Sequence, residues 1–121
     1  MKTVYAVLDY AEHWDWVLHT GVPSSSQIKE YVQGPYTACS GNFDFKLLVN
    51  RYGAWSFRGQ GASGSLMKMR DGVAYGMLCG PVVAVRYDDE KNIVSLTTDD
   101  IAELHSMVDE GYCYNLPPLT T

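Results

Sequence analysis

Between Tyr36 and Leu96 the chain is a series of short apolar runs cut by turn-forming residues, a punctuation that fits consecutive antiparallel strands and little else. The breaks are Ser40-Gly41-Asn42, Tyr52-Gly53 and Asp71-Gly72, with Asp88-Asp89-Glu90-Lys91 as a longer loop. The runs between them (43–50, 54–58, 66–70, 73–79, 82–87 and 92–96) carry many β-branched and aromatic residues. Asp71-Gly72 is the sharpest signal. Both residues tolerate φ > 0, as a two-residue type I′ hairpin loop demands. Strands joined this tightly must run antiparallel, because a parallel crossover needs about a dozen residues.

The ends of the chain read differently. Residues 2–8 form a strand pattern, after which Asp9 and Glu12 resemble a helix-capping pair. Trp14, Val17 and Leu18 fall at i, i+3 and i+4, so a first helix is expected, ending at Gly21. Ser24 with Gln27 is a capping box, and Ile28, Tyr31 and Val32 give a second apolar stripe before Gly34-Pro35 stops it. Thr97 with Asp100 opens a last helix, whose buried stripe is Ile101, Leu104 and Val108 and whose end is Gly111. Residues 113–121, with Pro117-Pro118, are expected to form an irregular tail. The pattern predicts one α+β domain spanning 1–121: an antiparallel sheet of about five to six strands packed against two N-terminal helices and one C-terminal helix.

Composition narrows the class. A chain of 121 residues has room for one domain, and 46% apolar with 19% charged residues excludes a disordered one. No apolar run reaches the roughly 20 residues that span a bilayer. The leading run, Met1 to Leu8, is broken at Asp9 too early for a secretory signal, so a cytoplasmic location with no membrane partner is expected. Cys39, Cys79 and Cys113 are odd in number and far apart, which suits reduced thiols better than a disulfide scaffold or a thiolate zinc site.

The net charge of −5 hides a polarised distribution. Residues 1–45 hold two basic and five acidic side chains. Residues 46–86 hold Lys46, Arg51, Arg58, Lys68, Arg70 and Arg86 against Asp71 alone. Residues 87–121 hold Lys91 against eight acids. The middle is basic and the ends are acidic.

Catalytic patterns are weak by comparison. Gly59-Gln60-Gly61-Ala62-Ser63-Gly64 is a literal G-x-G-x-x-G, but Ser65 to Asp71 leaves no room for the long helix that a dinucleotide fold places after it. As a loop flanked by Arg58, Lys68 and Arg70, the glycines Gly59, Gly61 and Gly64 with Ser63 suit an anion loop presenting backbone donors. His19-Thr20-Gly21, preceded by Val17-Leu18 and followed by Ile28 and Gly34, resembles the His-Gly-Thr strand of the ADP-ribosyltransferase superfamily, with Thr and Gly transposed. That resemblance covers about 20 residues and implies a contact from His19 to a nicotinamide ribose. His13, His19 and His105 lack ligand spacing, and no G-x-S-x-G elbow occurs, so neither a metal nor a cofactor is expected.

The basic middle is the stronger feature. Its charges alternate with Tyr52, Trp55, Phe57, Tyr75 and Tyr87, the mixture of cation and aromatic that binds phosphates, bases or protein anchors. The expected contact residues are Arg51, Tyr52, Trp55, Arg58, Lys68, Arg70 and Arg86. The reading is a non-catalytic binding protein, a small stoichiometric inhibitor or regulator acting on a protein or a protein–nucleic acid complex. Phage antagonists of host defence and toxin immunity proteins have this size and composition. The alternatives are a nucleotide or nucleic-acid binder using the same face and the Gly59 to Gly64 loop, and an ADP-ribosyltransferase-like enzyme centred on His19.

Overall fold

The computed structural model describes residues 2–9, 15–39, 41–52, 66–78 and 80–117. The elements in chain order are β1 (Val4–Leu8), β2 (Val17–Thr20), α1 (Ser25–Val32), β3 (Tyr36–Cys39), β4 (Lys46–Asn50), β5 (Leu66–Arg70), β6 (Val73–Leu78), β7 (Val82–Tyr87), β8 (Ile93–Val94), α2 (Thr98–Asp109) and β9 (Cys113–Asn115).

The main sheet has six strands in the order β2-β1-β7-β4-β3, with β8 also on β7, and every pairing is antiparallel. Its central strands are unbroken apolar runs: Tyr-Ala-Val-Leu in β1, Leu-Leu-Val in β4 and Val-Val-Ala-Val in β7 are all buried. Such runs belong to strands covered on both faces. Tyr5, Val7, Leu48, Val83 and Val85 face α1, which contributes Ile28 and Val32. Ala6, Leu8, Leu47, Val49, Val82 and Ala84 face a second layer made of α2, Trp16, Phe45 and a small sheet. That sheet has the order β6-β5-β9, antiparallel between β5 and β6 and parallel between β5 and β9. The protein is thus a single α+β domain in three layers, with the main sheet in the middle.

Local chemistry explains the helices. Ser24 accepts a hydrogen bond from the Gln27 amide while the Gln27 side chain accepts from the Ser24 amide, closing the capping box. At the other end, Asn50 Nδ2 donates to the carbonyls of Val32 and Gln33 at 2.9 and 3.1 Å, satisfying acceptors the helix itself leaves open. A Cβ on Gly34 would lie 2.8 Å from that same nitrogen, so a glycine is needed there for close approach. Thr97 and Asp100 form the second capping box, at the start of α2. The expected Asp71-Gly72 hairpin is present, with φ of 53° and 78°.

Three expectations are corrected. The helices are not an N-terminal pair: residues 17–20 form β2, antiparallel to β1 with Val7 opposite Val17. The spacing of Trp14, Val17 and Leu18 suits a helix on local grounds alone, and pairing of 17–20 along β1 decides in favour of the strand. The expected tail contains β9, whose Tyr114 is 1% exposed. Its partner, β5, lies more than forty residues earlier, so no local pattern announces it. The strands are also not one meander, because β4 pairs with β7 and the β5–β6 hairpin leaves for the second sheet. The expected strand at 54–58 and the cap-to-stripe segment around Trp14 lie outside the described residues. Among the described residues, no helix is long and apolar enough to cross a membrane.

Candidate contact surface

Strand alternation gives the small sheet two unlike faces. Leu66, Leu78 and Tyr114 point into the core. Met67 and Met69 on β5, with their parallel register partners Cys113 and Asn115 on β9, therefore lie on the outer face. Register between β5 and β6 slips after Lys68, with Gly76 opposite Lys68 but Ala74 opposite Met69. Tyr75 is the extra residue of that bulge, and bulges re-aim side chains. Tyr75 is 56% exposed and Val73 is 60% exposed. The Arg70 guanidinium carbon lies 5.0 Å from the centre of the Tyr75 ring, within cation–π range. Arg70 Nε donates to the Pro117 carbonyl at 3.0 Å, which fixes the arginine between β6 and the residues that follow β9.

Among the described residues, the expected contact residues are not gathered in one place. Arg70 sits in this patch. Lys68 points inward beside Cys39, and burial lowers its amine from the ordinary lysine value. Cys39 and Tyr114 hydrogen-bond each other, and burial raises both groups. Arg86 reaches α2, where Nε and Nη2 donate to the two carboxylate oxygens of Asp100 at 2.8 and 3.3 Å, with Asp44 at 3.7 Å. Hydrogen bonding to Asp100 raises the guanidinium further. Arg51 and Tyr52 follow β4 beside the end of α1, where the Arg51 amide donates to Pro35 and Tyr52 is 69% exposed. Trp55, Arg58, Gly59, Gly61, Ser63 and Gly64 lie outside the described residues.

Two other polar clusters complete the picture. The His19 ring stacks on Tyr5 with centroids 5.2 Å apart, and Tyr5 and Tyr31 share a hydrogen bond of 2.9 Å between hydroxyls. His19 thus occupies a packed aromatic group at the edge of the α1 layer. His105 Nδ1 lies 3.0 Å from Asp15 Oδ2, tying α2 to the start of β2. Among the described residues no three His, Cys, Asp or Glu side chains converge as a metal site.

Compared with protein-family models, curated proteins and solved structures, the chain matches none.

The geometry assembles a different patch from the one the sequence suggested. Met67, Met69 and Cys113 were not legible as surface residues, because their face depends on β9 as a partner; Val73, paired with Arg70, belongs to the other face of the hairpin, at its turn end. Tyr75 stood out among the aromatics of the basic stretch, but its outward position comes from the bulge. Chemically, an exposed aromatic and a β-branched side chain beside a held guanidinium suit an apolar ligand segment with an acidic edge.

Proposed function

We propose that this protein is a non-catalytic binding protein that engages a partner protein through the exposed turn end of the β5–β6 hairpin. The observation that carries the reading is the exposure of Val73 and Tyr75 on a sheet strand, with Arg70 held against the ring. Both faces of the main sheet are covered, so the fold has no need of further apolar surface at this hairpin. Aromatic and arginine side chains are the commonest anchors of protein interfaces. A small inhibitor or regulator acts in this way, by occupying a partner's surface. A phosphate-tracking surface would need several free cations in one groove. Among the described residues Arg86 is committed to Asp100 and Lys68 points inward, which favours a protein partner over a nucleic acid.

The test is site-specific photo-cross-linking in the protein's native cells, with a benzophenone amino acid at Val73 and a control at Glu103, which is exposed on α2. The expected result is one protein adduct from position 73 that survives 0.5 M salt, is lost on adding Arg70→Glu, and is missing from position 103. Equal labelling at both positions would sink the proposal. An adduct with nucleic acid, weakening steeply with salt, would support the alternative instead.

A further inference from the structure

We infer that the outer face of the small sheet carries a site for a soft monovalent metal ion, Cu(I), formed by the Cys113 thiolate and the thioethers of Met67 and Met69. The site lies on the other face of β5 from Arg70 and Val73 and needs no partner, so it stands or falls separately.

Register makes the case. Met67 and Cys113 are directly paired across β5 and β9, and Met69 follows Met67 by two residues on the same strand. Alternation puts all three on one face, because Leu66 and Tyr114, their neighbours along the chain, are buried on the other. The bulge lies on β6 and leaves the β5–β9 register unbroken, so Met67, Met69 and Cys113 keep their common face. Side chains paired directly across strands have Cβ atoms about 5 Å apart, and Met69 follows Met67 on the same face about 7 Å along the strand. Methionine has three rotatable bonds and a polarisable sulfur, so two methionines and a cysteine at those separations can converge on one ion.

Position also matters. Met67 and Cys113 are half-buried, sheltered enough to shed water yet open to an ion arriving from solvent. Sulfur ligands of this kind select Cu(I), whereas carboxylates, carbonyls and water suit hard ions such as Mg²⁺ and Ca²⁺. Three of the five methionines in the chain lie on the two strands β5 and β6, a concentration that a sheet surface does not require for stability. The thiol must lose its proton to bind, so binding releases a proton.

The experiment is an anaerobic titration of the purified, reduced protein with Cu(I) against the chromogenic chelator bicinchoninate, with Zn²⁺ as a parallel titrant. One tight equivalent of Cu(I), with Zn²⁺ failing to compete, is expected. Met67→Leu with Met69→Leu, a volume-conserving pair that should leave the fold intact by circular dichroism, should weaken Cu(I) by at least the roughly 10–100-fold that losing even a supporting group costs. Cys113→Ser should weaken it further, while Cys39→Ser should leave it unchanged. Failure to compete with the chelator would overturn the proposal. So would affinity unchanged in the double leucine variant, or binding that follows Cys39 instead of Cys113.

Discussion

Arg86 shows how a single residue can change its meaning between sequence and structure. In the sequence it is one of six cations in a basic stretch; in the fold it is the partner of a carboxylate that is almost wholly buried. Asp100 also accepts from the Thr97 amide at 2.9 Å, so one carboxylate caps α2 and ties it to β7. Removing the arginine leaves that charge buried without its main partner, a loss that typically costs about 3–5 kcal/mol. Arg86→Met is therefore expected to lower stability by about 3 kcal/mol, read as a fall in the urea midpoint. Adding Asp100→Asn should recover part of the loss, since the uncompensated charge is then gone. If Arg86→Met alone left the midpoint unchanged, the pair would have no structural weight. No sequence pattern pairs Arg86 with Asp100, because the contact joins a strand face to a helix cap across a connecting hairpin.

At the scale of elements, the capping boxes of α1 and α2 and the hairpin turn were read correctly from local spacing, whereas the local cap and stripe before Gly21 were misread as a helix. Both capping boxes and the Asp71-Gly72 turn are made by residues within three or four positions of one another, and all three form as their spacing implies. The misread elements are β2 and β9, whose existence depends on distant strands. The end of α1 lies between these cases. A left-handed residue closes it, as expected, but that residue is Gln33 with φ of 64°, one position before the glycine. A side chain in that conformation costs about 1 kcal/mol that glycine avoids. Gln33→Gly is accordingly expected to stabilise the protein by roughly 0.5–1 kcal/mol, visible as a higher melting temperature. A lower melting temperature would mean that the glutamine side chain contributes more than its backbone costs.

For the molecule as a whole, the polarised charge was evident in the sequence but its spatial meaning was not. Folding spreads the basic stretch over separate surroundings: Arg70 beside an exposed ring, Lys68 turned inward, Arg86 against α2. The unbroken apolar runs of β1, β4 and β7 do signal cover on both faces, but which elements supply the second cover could not be read, since it depends on β9 and on strand pairings far apart in the chain. Burial of polar aromatics in these layers has a consequence for pH. Burial, with help from Tyr31, pushes Tyr5 up from 10.0 to about 12, and burial raises Tyr114 as well. Both groups are neutral in the fold while the unfolded chain ionises near 10.0, so this stability is complete below that pH and drains away as pH climbs towards 12. Denaturant midpoints are expected to fall across that window, and Tyr5→Phe should flatten the decline even if its midpoint at neutral pH is lower. An identical slope in the variant would assign the alkaline loss to other groups.

The late position of β9 also governs the order of events during synthesis. Tyr114 closes the second layer, and β9 borders β5, a strand translated more than forty residues earlier. While the ribosome is still making α2, Leu66 and Leu78 have no Tyr114 to cover them, and one border of β5 has no neighbour. Until β9 is available the chain exposes adhesive apolar surface, and a chain cut just before Cys113 is expected to aggregate where the full sequence does not.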